Sequence, residues 1–544
     1  MKTRRQFIYQ SALLGAGCGL RARAFAAPRP TGVDPRDFGA VFDGRSDDTR
    51  AWQAAVDHAA ARGLPVVASG PGTSVLVCRG EPRGTYGNSP TTFVYQAVDI
   101  NRSGLSIDLG GARLRLIGRG SANAVNYAFG TSKNMQAGTI RKLRFGNGEI
   151  DFDPTGDKSI NKRSLYLIGV DDIEISDLLL TSSGGRAGAT ITLQNCRRVR
   201  VRNLRGMNIT QGMNLSYVED VSFDGLQFNN FSEAIDCDRR VVRLVARNLA
   251  FSNGGPNNQC LDLNSVEDVH ISGVTASNVG NIALVNYKRT TPPTYSDYVH
   301  NAAVTRFSPS RNVTIERVRG DRICWPRSTS IPFLLGNDQR SPSESLYPLE
   351  NIVLRDVRLT NCPSYIPIEL VKNAVLEDIV FSGAMNPSPS MGCIDIRGDK
   401  FGTSATLRNV TIVMAPGATR GVRSNSPSSL KLTDVTVRGR SSSEAVFFDF
   451  TALDGNGART IKTLTLNSDG RNDGGPLLNA ETMAAGKYRL TFHVAAYFRE
   501  KGVQLPEPAF LDTVPLEFGI ADAAGHYHVP LLVSPWSYST YRGS

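Results

Sequence analysis

No uninterrupted apolar run in the 544 residues reaches the ~20 that a membrane-spanning helix needs. Tryptophan is scarce, at three residues, and aromatics reach only 8%, so no platform for stacking nucleic-acid bases stands out. The eight cysteines lie far apart. Cys78, Cys196, Cys237, Cys260, Cys324, Cys362 and Cys393 show neither metal-ligand spacing nor the density of a small disulfide scaffold. Long stretches with helical periodicity are missing too. What the chain does have is 40% hydrophobic residues and 52 glycines, enough apolar material for a large core punctuated by many turns.

Residues 1–26 read as an export signal of twin-arginine type. Arg4-Arg5 precedes Phe7-Ile8 and the apolar run Ala12-Leu13-Leu14-Gly15-Ala16-Gly17, and Ala24-Phe25-Ala26 supplies the small residues of a cleavage site. The expected location is therefore outside the cytoplasm, periplasmic or secreted. The segment carries five basic residues and no acid, so its removal lowers the formal charge from +11 to +6. That mild excess argues for no nucleic-acid partner and leaves an acidic polysaccharide open.

Between about 170 and 440 a short pattern recurs: aliphatic, any residue, aliphatic, two polar or small residues, aliphatic. Ile173-x-Ile175-xx-Leu178, Val199-x-Val201-xx-Leu204, Val221-x-Phe223-xx-Leu226 and Leu244-x-Ala246-xx-Leu249 carry it, followed by copies starting at Val269, Val313 and Ile352. Successive starts are 26, 22, 23 and 25 residues apart, then 44 and 39, as if loops interrupt two of the turns. A period of two within each run, with Asn, Asp, Gly and Ser between runs, predicts short strands. Strands repeating every low-twenties residues fit a parallel β-helix, in which each coil buries its inward aliphatics on the next.

Such a stack needs a cover on its open end. Asp37-Phe38-Gly39-Ala40, Asp43-Gly44 and Asp47-Asp48-Thr49 lead into a predicted helix over 49–61. Trp52, Ala55, Val56 and Ala59 share one face of it, and Asp47 or Asp48 is suited to cap its N-terminus. This run resembles the N-terminal signature of the pectate-lyase-like superfamily. The resemblance implies a right-handed parallel β-helix and, loosely, work on carbohydrate.

Spacing also predicts two polar rows on that β-helix. Thr192, Asn214, Asp236 and Asp262 form one, and Gln194, Ser216, Asp238 and Asn264 the other, both with steps of 22, 22 and 26. With coils ~4.8 Å apart, Asp236 and Asp262 would lie close enough to share a proton or a cation, or to flank a glycosidic bond. Glu233, Tyr287, Lys288 and His300 are further candidates nearby. Ser232-Glu233-Ala234-Ile235-Asp236 resembles the first acidic motif of polygalacturonase-like glycosidases. The chain departs from that pattern at Asn258-Gln259-Cys260, where a pair of acids belongs, and at Gly280-Asn281-Ile282, where Gly-His-Gly belongs. Asp236, Asp238, Asp262 and Glu233 are thus the candidate residues of a β-helix site.

Past about 440 the rhythm changes. Strands are expected over 445–450, 460–466, 486–494, 514–520 and 526–533, with a short helix over 479–485, as in a compact antiparallel domain of about 100 residues. Asn467-Ser468-Asp469-Gly470-Arg471, Tyr488-Arg489-Leu490-Thr491-Phe492-His493 and the ending HYHVPLLVSPWSYSTYRGS carry a close resemblance to the 5-hydroxyisourate hydrolase (transthyretin-like) family. The expected organisation is therefore all-β: signal 1–26, β-helix 34–440, and a transthyretin-like antiparallel β-sandwich over 441–544.

That family resemblance implies hydrolysis of 5-hydroxyisourate, a small-molecule substrate, without metal or organic cofactor, at a site formed between subunits of a homotetramer. It implies catalytic roles for His528, Arg471 and Ser544, and substrate binding by Arg471, Tyr541 and Arg542. The chemistry suits these residue types. An imidazole titrates near neutrality and can activate water, and a guanidinium can grip ring carbonyls and a developing oxyanion. The family also opens on a strand with a second histidine in a Thr-His-Val-Leu-Asp-like motif. Here the counterpart is Thr433-Asp434-Val435: either Asp434 replaces that histidine, or the strand was lost when the tail joined the solenoid.

Overall fold

The computed structural model describes residues 32–542, except 80, 86–92, 119–123, 132–137, 153–160, 184–187, 189, 287–308, 325–329, 337–347, 389–390, 398–401, 425–429, 440–446, 455–456, 466–474, 480 and 501–502. The expected signal segment, Arg471 and Ser544 lie outside the described residues, as do Tyr287, Lys288 and His300.

Most of the chain is a parallel β-helix; among the described residues its 23 strands join in one sheet, paired in parallel except where Gly84–Thr85 meets Phe93–Asp99. One inward row shows why it forms. Ile173 pairs with Val199, Val221 with Leu244, Leu244 with Val269, Val269 with Val313, Val313 with Ile352 and Ile352 with Ala374. The long steps of 44 and 39 residues thus return to the same row. These aliphatics are buried, as are Phe228, Phe231 and Phe251, whose ring centres lie 6.0–6.2 Å apart.

At the corners of the coils, inside the continuous stretches Arg311–Ile323, Leu349–Thr360 and Val371–Ala384, the chain turns through left-handed backbone, which Asn and Asp tolerate better than other side chains with a Cβ. Asn312, Asn351 and Asn373 have φ of 55°, 56° and 63°. Their amides form a ladder: Asn312 donates to Asp268 at 2.8 Å, Asn351 to Asn312 at 2.9 Å and Asn373 to Asn351 at 2.9 Å. The Asn and Asp residues between the apolar runs are therefore turn formers first.

The cap helix spans Thr49–Arg62, and Trp52, Ala55, Val56 and Ala59 are fully buried against the first coils. Asp48 occupies the N-cap position without making a side-chain cap bond. Its carboxylate instead accepts from the Val41 and Phe42 amides and the Ser74 hydroxyl, tying the Phe42 turn to the helix start.

The tail folds on a separate apolar cluster that includes Tyr488, Leu490, Phe492, Val514 and Leu516. Its strands Gly457–Thr465, Phe447–Asp454, Gly486–Phe492 and Val514–Ile520 form an antiparallel sheet in that order. A second, two-stranded sheet pairs Leu531–Val533 with Tyr538–Thr540. The strand expected over 526–533 is thus confined to its last three residues. The expected helix over 479–485 is also corrected. The Asn479 side chain accepts from the Glu481 and Thr482 amides, which makes a capped turn that Gly486 ends by entering a strand. The helix lies instead at Val494–Glu500, with Val494 and Ala495 buried.

Candidate functional site

Two places collect the predicted residues, one on each part of the chain. On the β-helix, Asn214 stands opposite Asp236 in adjacent coils, and Tyr166 opposite Thr192. Glu233, Asp236 and Asp262 converge: each offers a carboxylate oxygen, and the three lie within 4.8 Å of one another. Asp236 is buried, while Glu233 and Asp262 are half-buried. Gln211 bridges two of them, its amide donating to Glu233 at 2.7 Å and to Asp236 at 3.2 Å, and Asn214 donates to Asp236 at 2.7 Å. Sequence reasoning passed over Gln211, although it precedes Glu233 by 22 residues, the same step as the polar rows.

The second predicted row does not hold. Leu215 pairs with Cys237 but Ser216 pairs with Arg239, so Asp238 is an extra residue in a bulge and leaves the row. Its charge still faces the same region. Burial holds the Cys237 thiol well above its ordinary range, and the charges of Asp236, Asp262 and Asp238 add to that effect. Three carboxylate oxygens so close together can hold a proton or a hard divalent cation between them, and two carboxyl groups at that separation can also flank a glycosidic bond.

On the tail, the hairpin decides the geometry. Leu531 pairs with Thr540, and Thr540 Oγ1 donates to the Pro530 carbonyl at 2.8 Å. The register therefore brings Tyr541 and Arg542, just past one strand, to the same open end as His528, just before the other. His528 is exposed, between the half-buried Tyr527 and Val529, and Tyr541 is exposed as well. Arg542 reaches back over the Tyr527 ring, 5.0 Å from its centre. An imidazole, a phenol and a guanidinium thus share one end of a two-stranded ribbon. Such a set can supply a proton carrier and a fixed positive charge to a small polar substrate.

Comparison with known proteins identifies this ribbon. Residues 434–543 match the HIUase/Transthyretin family. The 5-hydroxyisourate hydrolase 2 of Rhizobium meliloti is 58% identical over 96 residues, covering 18% of this chain and 79% of that protein. The chain belongs to the HIUase/transthyretin family. A 5-hydroxyisourate hydrolase of Ralstonia nicotianae is 64% identical over 84 residues, covering 15% of this chain and 71% of its own. The β-helix resembles solved structures at low identity. A tailspike protein of E. coli bacteriophage HK620 is 12% identical, covers 84% of each chain and has a TM-score of 0.48.

The HIUase/transthyretin match begins at Asp434, inside the strand Leu430–Arg438. That strand pairs in parallel with Ala405–Met414, as the last coil of the β-helix. Arg408 faces Thr433 and Val410 faces Val435, so Asp434 aligns with Asn409, and both have left-handed φ, 52° and 51°. Asp434 therefore stands where the coils place their turn-forming Asn and Asp. The segment that resembles the family's histidine-bearing strand serves the solenoid here.

Proposed function

We propose that the chain hydrolyses 5-hydroxyisourate at its C-terminal domain, with His528 as proton carrier, Arg471 and Arg542 gripping the ring oxygens, and Tyr541 and Ser544 completing the site. The observation that carries this reading is the 58% identity to a curated 5-hydroxyisourate hydrolase over 79% of that protein's length. The test is the decay of freshly generated 5-hydroxyisourate in the presence of the purified full chain. No acceleration at micromolar protein would exclude the reading.

The active form is a homo-oligomer, as the family resemblance suggests. Leu532, Trp536, Tyr538 and Tyr541 leave large apolar surface exposed on and beside the hairpin, which suits burial against further copies. Sedimentation of the full chain should give a species larger than 58.9 kDa, and Trp536→Ser should shift it toward the monomer. A monomer at all concentrations would exclude assembly. The signal-like N-terminus directs export, which the N-terminal residue of protein recovered from the periplasm or medium would test.

The convergence of Glu233, Asp236 and Asp262 favours a second reading, in which the β-helix binds or cleaves a polysaccharide along this face. Affinity electrophoresis in gels cast with acidic or neutral glycans should retard the chain, and Asp236→Asn should weaken the retardation. Release of reducing or unsaturated ends would identify cleavage. Equal mobility of both proteins in every gel would exclude the reading.

A further inference from the structure

Tyr527 is fixed at several points while making one contact with the C-terminal arm. Its hydroxyl oxygen accepts the Ala521 amide at 3.1 Å and the Asp522 amide at 3.0 Å, at the end of the strand Val514–Ile520. Its ring joins the apolar cluster of the tail. The turn beneath is closed by the Gly525 amide, which donates to the Asp522 carbonyl at 3.1 Å, and by Asp522 Oδ1, which accepts the Ala524 amide at 2.9 Å. A Cβ on Gly525 would stand 3.1 Å from Tyr527 Cε2, so glycine there gives the ring its seat. Onto this plate the Arg542 guanidinium settles, 5.0 Å from the ring centre and within the range of cation–π attraction.

We infer that Tyr527 is a positioning residue for hydrolysis: it holds Arg542, and with it the C-terminal arm, beside His528. The inference rests on the hydrolase reading above. Tyr527 does not touch the reacting atoms in this scheme. It makes Arg542 a fixed positive charge, and the hydroxyl anchors, the apolar packing and the glycine seat all serve to keep the plate still.

The test uses the full chain and two readouts. The first is the rate at which a carboxypeptidase releases Ser544. Exposed cation–π contacts have strengths that correspond to roughly a two- to five-fold change in an equilibrium. Tyr527→Leu should therefore speed release by about that factor, while Tyr527→Phe, which keeps the ring but loses the two amide anchors on its hydroxyl, should fall between the parent and Tyr527→Leu. Arg542→Gln should match Tyr527→Leu, and the double variant should show no further gain. The second readout is the hydrolysis assay, in which Tyr527→Leu should raise KM by about two- to five-fold with kcat nearly unchanged. Additive effects in the double variant, or parent-like release in a folded Tyr527→Leu, would overturn the inference. Absence of turnover in the parent protein would instead remove the hydrolase reading, with the release rates still deciding the role of Tyr527.

Discussion

Replacing His528 by alanine is expected to lower the rate of 5-hydroxyisourate hydrolysis by about 10²–10⁴-fold, the contribution of a positioned general acid or base. Opening a cyclic acylurea-like bond requires water to lose a proton as it attacks and the departing nitrogen to gain one. Imidazole exchanges protons near neutral pH, and few other side chains do. The family resemblance places a second histidine on the opening strand, but that strand here closes the coil stack and carries Asp434 at a left-handed turn. Among the residues that the resemblance assigns to the site, His528 is then the one histidine left, and a rate retained by His528→Ala would have to come from the nearby His526, which His526→Ala in the same background would remove. Arg471→Ala should cause a loss of similar kind through the oxyanion, and Arg471→Lys should not restore it, because a point charge lacks the planar fork. Asp434→His should not raise the rate, since the new ring would sit on the solenoid turn beside Asn409. A His528→Ala protein that turns over at the parent rate would show that the imidazole is not the proton carrier. A gain in rate from Asp434→His would show that the strand reaches the site after all.

The β-helix was legible because its physics is periodic. An inward aliphatic must meet another inward aliphatic one coil away, so spacing alone paired Ile173 with Val199 and Val269 with Val313. The same arithmetic found Asn214 opposite Asp236. It could not find the bulge at Asp238, because one extra residue in one strand changes the register without changing the residue types around it. Nor could it choose between the two fates of Thr433-Asp434-Val435. An Asp between β-branched residues fits a hairpin strand or a coil turn equally well, and only the parallel pairing to Arg408 and Val410 decides. In the tail, Asn479 and the alanines after it read as a helix start. The Asn side chain satisfies two amides locally, however, and the next glycine lets the chain leave in extended form. The hydrolase candidates were named by likeness of sequence. The fold adds that a short hairpin returns Tyr541 and Arg542 to the end where His528 lies, and that the Tyr527 ring carries Arg542.

Trp52→Ala should be the most damaging single change in the cap. Its indole is fully buried, edge-on to Phe129 at 5.7 Å and tilted against Phe42 at 6.0 Å. The indole N–H donates to Ser74 Oγ at 2.9 Å, and that hydroxyl donates to Asp48 at 2.7 Å. Truncation to alanine removes the packing and breaks a buried chain of hydrogen bonds, a loss of about 3–5 kcal/mol for a large aromatic. In a solenoid this cost does not spread evenly, because each coil leans only on its neighbours. The first coils, from Thr73–Val77 through Arg113–Ile117, should open while the stack beyond Val266–Asn286 stays closed. Hydrogen exchange should accordingly show amide protection falling by a factor of about 10²–10⁴ near the cap and little change in the distant coils. Trp52→Phe keeps most of the packing and loses only the N–H donor, so it should cost about 1 kcal/mol: Ser74 Oγ loses the bond it accepts, while its own bond to Asp48 and the Val41 and Phe42 amides on Asp48 remain. If Trp52→Ala instead lowered protection equally along the whole chain, the β-helix would unfold as one unit and the nearest-neighbour account of its stability would fail. If it left the first coils untouched, the helix Thr49–Arg62 would be an ornament on the stack and not its closure.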